Sequence, residues 1–472
     1  MSFVSWAFAL LFVPVLAARL LVGRRKTEPA LIAIVLVAST VFVMWHVPVY
    51  ILIMLTSIAV DYVAANVIHR AGEDEVRRKW WLVCSIGTNL ALLGFFKYAN
   101  FALDSLEQVL GWAGFAATLP HVALVLPMGI SFYTFGSMSY TIDVYRRRIE
   151  PVRRFRDFYF FVTFFPHLVA GPIVRAEQFF YQWKRVRRPR LRVLNEGLYL
   201  IVLGLFLKMV CADNLARTVD HYWGQAEEGK LRGVNVILVT LLFSGQIFCD
   251  FAGYSSIARG LAYLMGWRFP INFASPYIAA SFREFWQRWH ITLSRWLRDY
   301  LYVPLGGNRA STARTCVNLM LVMLLGGLWH GAALTFVAWG AIHGTGLVVE
   351  RLLGLHELEE KRTRWPLRLG WFLVVQVCVL MAWVMFRSQS VTGAFRILGR
   401  LLDLGPIVFN PEIVLATVFL APVVLMHLHQ LGVEKGWAPR PGKMGKAVLA
   451  GVMLWMVLVC YGESTDFIYF QF

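Results

Sequence analysis

Apolar runs of about 20 residues recur along the whole chain and are separated by short polar segments, a length that suffices for a helix to cross a bilayer. The candidate spans are 3–22, 31–46, 49–68, 80–96, 121–145, 194–214, 233–263, an apolar pair within 316–350, 365–386, 412–431 and 446–461. The pattern predicts an all-α polytopic membrane protein with about 10 to 12 transmembrane helices. No soluble domain interrupts it, so we expect residues 1–472 to form a single transmembrane domain.

Two stretches do not fit simple spans. Residues 158–173 are too short to cross and contain Pro166, Gly171 and Pro172, which indicates a re-entrant half-helix. Residues 280–309 mix arginines with aromatic side chains, and charges at mid-bilayer are costly. We therefore expect the second stretch to lie at the membrane interface or to line a wet cavity, and re-entrant or interfacial segments to accompany the spanning helices.

Composition and charge support a membrane protein and set its orientation. Of the 472 residues, 58% are hydrophobic and 16% are charged, whereas soluble domains carry about 25% charged residues. The net charge of +18 comes from basic clusters between the apolar runs, at 24–26, 70–79, 146–192, 351–368 and 435–446. Such clusters mark cytoplasmic loops, so no nucleic-acid partner is predicted. The first apolar run precedes its basic cluster, which favours a retained first helix over a signal peptide.

Few residues of the chain combine a reactive side chain with an apolar setting. His330 lies in LLGGLWHGAALTF, and an ionisable group inside a membrane span is a candidate functional residue. We expect its imidazole to face a water-accessible passage through the membrane. The neighbouring glycines also allow the alternative that this motif serves helix packing. His290 lies in EFWQRWHITLSRWLRD, where a continuous helix would place Trp286, His290 and Ser294 on one ridge; the alternative is an amphipathic surface helix.

Asp250 and Tyr254 form a further candidate pair, four residues apart in an apolar run. The alternative for Asp250 is a structural clamp to an arginine of a neighbouring helix. The six cysteines stand apart without a C-x-x-C pair, so we predict no metal site. The chain also lacks the G-x-S-x-G, Walker A and H-E-x-x-H motifs of serine hydrolases, nucleotide-driven pumps and zinc proteases.

Histidines in such positions suit acyl transfer to a hydroxyl group. A neutral imidazole can accept the hydroxyl proton while the alcohol attacks a thioester, and a second imidazole or a hydroxyl can orient the acceptor or stabilise the oxyanion. The unperturbed pKa of histidine, about 6.5, suits this proton transfer near neutral pH.

Several collinear motifs resemble the membrane-bound O-acyltransferase family, and within it the bacterial branch that contains the alginate O-acetyltransferase membrane subunit. They are FKYANFALDSL (96–106), LPMGISFYTFGSMSYTIDVYRR (126–147), FPHLVAGPIVR (165–175), GLFLKMVCADN (204–214), CDFAGYSSIARG (249–260), NFASPY (272–277), the 284–309 stretch, GGLWHGA (326–332) and FIYFQF (467–472). The matches cover most of the chain.

The resemblance implies tilted helices around a central tunnel and catalytic roles for His330 and His290. We expect Trp329, Ser294, Asp250 and Tyr254 to act as supporting residues. The family usually carries Ser and Asp where this chain has Ala252 and Ser256, which argues against a catalytic role for the Asp250 segment.

The resemblance also implies the donor, the partners and the location. We expect an acetyl donor, acetyl-CoA or an acyl-carrier thioester, and no permanently bound cofactor. The basic charge of the 146–192 stretch suits attraction of this anionic donor, with Arg185, Arg187 and Arg188 as the candidate donor-binding residues; the alternative is a solvated loop that only sets the orientation of the chain. The expected partners are membrane lipid, a separate periplasmic or extracellular acyltransferase and, indirectly, an exported polysaccharide or cell-wall polymer. The expected location is the bacterial inner membrane, crossed several times.

Other functions stay open at this point. Within the family, the chain could instead transfer D-alanine to teichoic acid or acylate a lipid or protein. From another class, the histidines could form the proton relay of a transporter, although no internal repeat of the kind seen in transporters is evident.

Overall fold

The structure, a computed structural model, describes residues 1–21, 29–115, 118–122, 125–168, 171–183, 190–309, 311–355, 365–401, 403, 408–463 and 465–470. Within these residues every regular element is helical, which confirms the predicted all-α class. The α-helices are α1 (Trp6–Leu21), α2 (Pro29–Met44), α3 (Ile51–Arg70), α4 (Glu75–Trp112), α5 (Ile130–Tyr145), α6 (Phe155–Thr163), α7 (Phe165–Leu168), α8 (Ala176–Trp183), α9 (Leu191–Leu205), α10 (Asp213–Glu227), α11 (Val234–Leu264), α12 (Phe282–Arg288), α13 (Ile291–Leu297), α14 (Thr312–His330), α15 (Leu334–Leu352), α16 (Trp365–Arg387), α17 (Val391–Leu401), α18 (Pro411–Ala416), α19 (Ala421–Glu434) and α20 (Lys443–Val459).

Seven helical stretches of the described chain are long and apolar enough to cross a membrane, which confirms a polytopic membrane protein. They are Pro48–Arg70, Glu75–Trp112, Leu191–Glu227, Val234–Leu264, Thr312–His330, Trp365–Arg387 and Pro411–Glu434. Two further apolar helices, Trp6–Leu21 and Ala30–Met44, are shorter. In the part of the predicted run 121–145 that the structure describes, the helix begins at Ile130, so hydropathy overestimates helix length there. The total of about 10 to 12 crossings stays a prediction.

The chain divides into two compact units. The first contains Met1–Leu198 and Ala258–Pro270, and the second contains Tyr199–Ile257 and Ile271–Phe472. The boundary falls inside two long helices, α9 and α11. The expectation of a single transmembrane domain stays a prediction.

In the first unit, helices α3, α4 and α5 share a buried carboxylate. Asp61 of α3 accepts hydrogen bonds from Ser85 and Asn89 of α4 at 2.5 and 2.9 Å, and from Ser137 of α5. Because a buried charge is costly without partners, these bonds favour one mutual arrangement of the three helices.

Residues 158–173 of the first unit do not form one helix, as their prolines predict. Helices α6 and α7 meet at Phe164, whose backbone leaves the helical region with ψ of 103°. Aromatic rings surround this junction: Phe164 lies 5.0 Å from Trp267 and 5.6 Å from Phe179, measured between ring centroids. Protein therefore covers the interrupted backbone, as interrupted helices at membrane depth require.

In the second unit, α14 and α15 form a tightly packed helical hairpin. A side-chain carbon on Gly327 would lie 2.2 Å from the Phe336 carbonyl oxygen, and one on Gly340 would lie 2.4 Å from the Met323 carbonyl oxygen. Only glycine permits so close an approach of two helix backbones. The helix-packing role that the sequence offered as an alternative therefore applies to Gly327 of the GGLWHGA motif. His330 of the same motif can serve a different role.

The expectation of a continuous helix through residues 286–294 is wrong. Helix α12 ends at Arg288, helix α13 begins at Ile291, and His290 between them has left-handed backbone angles, φ 41° and ψ 52°. Trp286, His290 and Ser294 therefore do not share one ridge. A non-glycine residue in this region costs about 1–3 kcal/mol, and such strain clusters at functional sites.

Candidate active site

His330 is the last residue of α14 and lies within a shell of aromatic rings. Its side chain is 3% exposed. Its ring centroid lies 4.9 Å from Trp339, 5.0 Å from Trp329, 5.4 Å from Tyr469 and 5.5 Å from Phe386. The helix ends here because Gly331 has an extended backbone. The hairpin turn thus presents the imidazole to residues from three other parts of the same unit.

His290 is fully buried between the two short helices α12 and α13. Its Nδ1 lies 3.2 Å from Asn272 Oδ1, while no described residue forms a hydrogen bond with its Nε2. The ring of Phe251 from α11 meets the imidazole edge to face at 4.7 Å. One nitrogen of His290 is therefore held and the other is available.

The structure brings the two predicted catalytic histidines together, although 39 residues separate them along the chain. Their ring centroids are 6.4 Å apart, and Trp329 lies 6.1 Å from His290 beside them. Two imidazoles at this separation can act on the same substrate, one taking a proton and the other binding the acceptor or the developing oxyanion.

Asp250 of α11 belongs to a buried ion cluster. It pairs with a lysine, not with the arginine that the structural alternative predicted. Lys208 Nζ lies 2.9 Å from Asp250 Oδ1 and 2.8 Å from Asp213 Oδ1, and also 5.7 Å from the centroid of the Tyr254 ring. Lys208 belongs to a π-helical turn, Phe206–Ala212, and such turns are frequent near functional sites. The two predicted supporting residues therefore both contact Lys208.

This cluster also holds the C-terminal segment. The Ile468 backbone N–H donates to Asp250 Oδ2 at 2.6 Å, and the Thr465 hydroxyl donates to Asp213 Oδ1 at 2.7 Å. The next residue, Tyr469, packs against His330 and lies 4.5 Å from Phe251. The FIYFQF motif contributes to the family resemblance, but its sequence does not indicate that Tyr469 lies in the site. A contact between residues so far apart in the chain is not visible in a local pattern.

Ser294 contributes to the backbone around His290. Its hydroxyl donates to the carbonyl oxygens of Trp289 and His290 at 3.3 and 3.2 Å. These bonds satisfy carbonyls at the break between α12 and α13. A supporting role for Ser294 thus has a geometric basis that differs from the shared ridge predicted from the sequence.

A third buried imidazole lies nearby and was not singled out in the sequence. His343 of α15 is fully buried, and no described residue hydrogen-bonds to either ring nitrogen. It stacks on Phe285 at 5.5 Å and contacts Trp339 at 4.8 Å, the same tryptophan that contacts His330.

A cavity of about 750 Å³ opens between α12, α13, α14 and α15. Its lining includes four arginines, namely Arg283, Arg295, Arg298 and Arg351. It also includes Ile291 and Ser294, one and four residues after His290, and Met323, seven residues before His330. The expectation that residues 280–309 line a wet cavity agrees with this lining.

The histidines themselves do not line this cavity, contrary to the expectation that His330 faces an open passage. Met323 lies about 10 Å from His330 along α14, at about 1.5 Å per residue, and aromatic rings enclose both imidazoles. Large aromatic rings fill the space around His330. They belong to Trp329, Trp339, Phe386 and Tyr469. The predicted donor-binding residues Arg185, Arg187 and Arg188 lie outside the described residues.

Comparison with known proteins identifies the family. The model of MBOAT, the membrane-bound O-acyltransferase family, matches residues 151–387, which include both histidines and the cavity arginines. The chain belongs to this family. It is therefore an O-acyltransferase and a multi-pass membrane protein, as the motifs predicted.

Curated relatives in the MBOAT family include acetyltransferases of bacterial polymers. The protein named "Probable alginate O-acetylase AlgI" of Pseudomonas putida is 41% identical over 86% of this chain and 81% of its own. The AlgI of Pseudomonas aeruginosa is 40% identical over 86% of this chain and 75% of its own. The "Peptidoglycan O-acetyltransferase" of Helicobacter pylori is 35% identical over 79% of this chain and 73% of its own. These similarities confirm the resemblance seen in the sequence.

Proposed function

We propose that this MBOAT protein takes an acetyl group from a cytoplasmic thioester and passes it across the bacterial inner membrane for O-acetylation of an exported polysaccharide or cell-wall polymer. The observation that carries the proposal is the pairing of His330 with His290, 6.4 Å apart, in a water-poor aromatic setting beside a cavity lined by arginines. The similarity to alginate and peptidoglycan O-acetyltransferases supports the choice of acetyl group and polymer.

The chemical step is transfer of an acyl group to a hydroxyl. His330 accepts the hydroxyl proton as the oxygen attacks the thioester carbonyl; a C–O bond forms, the C–S bond breaks, and the proton passes to the leaving thiolate. His290 assists by orienting the acceptor. The rings of Trp329, Trp339 and Tyr469 exclude water around His330, which protects the thioester from hydrolysis.

The cavity is the proposed entry point of the donor. Arg351 closes helix α15 next to the basic segment 351–368, which the sequence places on the cytoplasmic side. Arginines suit the phosphates of acetyl-CoA or of a carrier-protein arm. Because the histidines lie behind the cavity wall, we propose that side chains of this wall move when the thioester binds. Arg185, Arg187 and Arg188 remain proposed contributors to donor attraction.

The proposal includes partners. A separate periplasmic or extracellular acyltransferase completes transfer to the polymer. The polymer therefore meets this chain only indirectly, and the hydroxyl acylated at His330 belongs to the partner that carries the acetyl group onward. Membrane lipid surrounds the spanning helices.

The test is thioester consumption by the protein in proteoliposomes and in membranes of its own host. We expect release of free thiol from acetyl-CoA or from an acetylated carrier protein, and a loss of at least about 10²-fold in His330→Ala, because a positioned general base contributes about 10²–10⁴-fold. Consumption of a D-alanyl carrier thioester in place of both acetyl donors would replace the proposed substrate. Proton-coupled substrate flux without thioester cleavage would overturn the enzyme proposal in favour of transport.

A further inference from the structure

The hydrogen bonds around His290 indicate which of its two ring nitrogens carries the proton, which the sequence could not show. Asn272 precedes the break between α12 and α13 by 18 residues and is 1% exposed. Its own backbone carbonyl accepts the Ile291 N–H at 2.9 Å, and the Ala274 N–H donates to the Arg288 carbonyl at 2.9 Å. The loop that carries Asn272 is thus bound on both sides of His290.

The side-chain amide of Asn272 has only one possible orientation here. The backbone N–H of Thr292 lies 3.2 Å from the amide atom assigned as Oδ1, and a backbone N–H can only donate. The Thr292 hydroxyl donates to the same atom at 2.9 Å, while Asn272 Nδ2 donates to Ser255 Oγ at 3.2 Å. The atom that faces His290 is therefore the oxygen.

An amide oxygen can only accept a hydrogen bond, so His290 Nδ1 must carry a hydrogen. In a neutral imidazole, the lone pair then belongs to Nε2. That nitrogen is buried, and no described residue forms a hydrogen bond with it. Among the described residues, the rings around His290 are Phe251, Phe273, Trp329 and His330, of which only His330 has an imidazole side chain.

We propose that Asn272 is a positioning residue of the transferase: by accepting the Nδ1–H of His290, it holds this histidine in the tautomer whose Nε2 is unprotonated and faces the reacting hydroxyl. The inference rests on the proposed function for its chemical purpose. The left-handed backbone of His290 fits the same purpose, because the strained turn and the Asn272 bond together leave the ring one orientation.

Two substitutions separate tautomer control from simple packing. Asn272→Leu keeps the branched shape of the side chain but removes the acceptor, and we expect turnover of the thioester to fall by about 10²-fold, the lower end of an acid–base contribution. Asn272→Asp keeps the acceptor and adds negative charge, which favours imidazolium. Since the reaction needs the neutral ring, we expect activity to persist at high pH and the acid limb of the pH–rate profile to move to higher pH. Ser255→Ala, which removes the hydroxyl that accepts from Nδ2 but leaves the Oδ1 acceptor in place, is the matched control and should leave the profile in place.

A direct measurement covers the case in which a variant fails to fold. Solid-state NMR of the full-length protein with ¹⁵N-labelled histidine reports ring tautomers, and the His290 signal is assigned by its loss in His290→Asn. We expect a protonated Nδ1 and an unprotonated Nε2 in the unaltered protein. A protonated Nε2 with a bare Nδ1 would overturn the inference, as would an Asn272→Asp pH profile identical to that of the parent. If the protein consumed no thioester at all, the NMR signal would still decide the tautomer, so the two proposals fail separately.

Discussion

The second unit contains two buried polar centres whose bonding differs. The Lys208 ammonium group contacts Asp213, Asp250 and Thr465. The Thr465 hydroxyl also donates to Asp213, and the backbone N–H of Ile468 donates to Asp250. Around His290, by contrast, one ring nitrogen is held and the other has no partner among the described residues. A satisfied cluster stabilises structure, whereas an unpartnered nitrogen is available to a substrate.

The C-terminal segment connects the two centres. The Lys208 cluster binds Ile468, and the following residue packs its ring on His330. The Lys208 cluster therefore holds in place the segment whose Tyr469 ring packs against His330. Removing the anchor should disturb the fold and the site together, while removing the imidazole should disturb the site alone.

The largest expected effect follows from removing Lys208. Lys208→Met leaves Asp213 and Asp250 buried without their cation, and breaking a buried ion pair costs about 3–5 kcal/mol. We expect a marked fall in the thermal midpoint of the detergent-solubilised protein and release of the C-terminal segment to proteases. The matched control is Arg217→Met, which removes an exposed pair between α10 and the same C-terminal segment, at 3.6 Å from Glu463. Equal midpoints for the two variants would contradict the anchoring role.

The second effect concerns the reactive centre. His290→Asn preserves a side chain that tolerates left-handed backbone angles, so the fold should survive. We expect thioester turnover to fall by about 10²-fold with an unchanged thermal midpoint. Ser275→Asn places the same residue type at another left-handed position and should retain activity. An unaltered rate in His290→Asn would show that His290 has no part in turnover. A variant that aggregates would show that His290 is structural, like Lys208.

The smallest effect concerns donor capture in the cavity. Reversing charge in Arg298→Glu and Arg351→Glu should raise the KM for acetyl-CoA several-fold at low ionic strength and less at high salt, because exposed charges are screened over about 8–10 Å at 0.1–0.15 M salt. Arg314→Glu, on α14 but outside the cavity lining, is the control. The same measurement on Arg185, Arg187 and Arg188 compares the sequence-predicted donor site with the cavity. A KM that is unchanged at low salt in both sets would exclude electrostatic capture.

Part of the site was predictable because single ionisable residues lie within otherwise apolar stretches of the sequence. His330 was visible as an ionisable group in an apolar run, and Asp250 as a carboxylate in another. The break at His290 was not visible, because EFWQRWHITLSRW has the composition of one amphipathic helix and contains neither proline nor glycine. Contacts from the 272–275 loop override that local preference through hydrogen bonds on both sides of the turn.

Tyr469 and Asn272 illustrate what local patterns omit. Neither residue interrupts a periodic pattern, and their motifs, NFASPY and FIYFQF, resemble the family without indicating what either side chain does. Each acquires its role through contacts with residues that lie far away in the chain.

The sequence by itself determined that this chain crosses a membrane as helices, that it belongs among the O-acyltransferases, and that His330 and His290 deserve attention, since hydropathy, charge clusters and motif order are properties of the linear chain. The tertiary structure alone decided that the two rings meet, that Lys208 rather than an arginine neutralises Asp250, and that His290 keeps its lone pair on Nε2. Those features depend on distances and hydrogen-bond directions between separate segments, which exist only once the helices have packed.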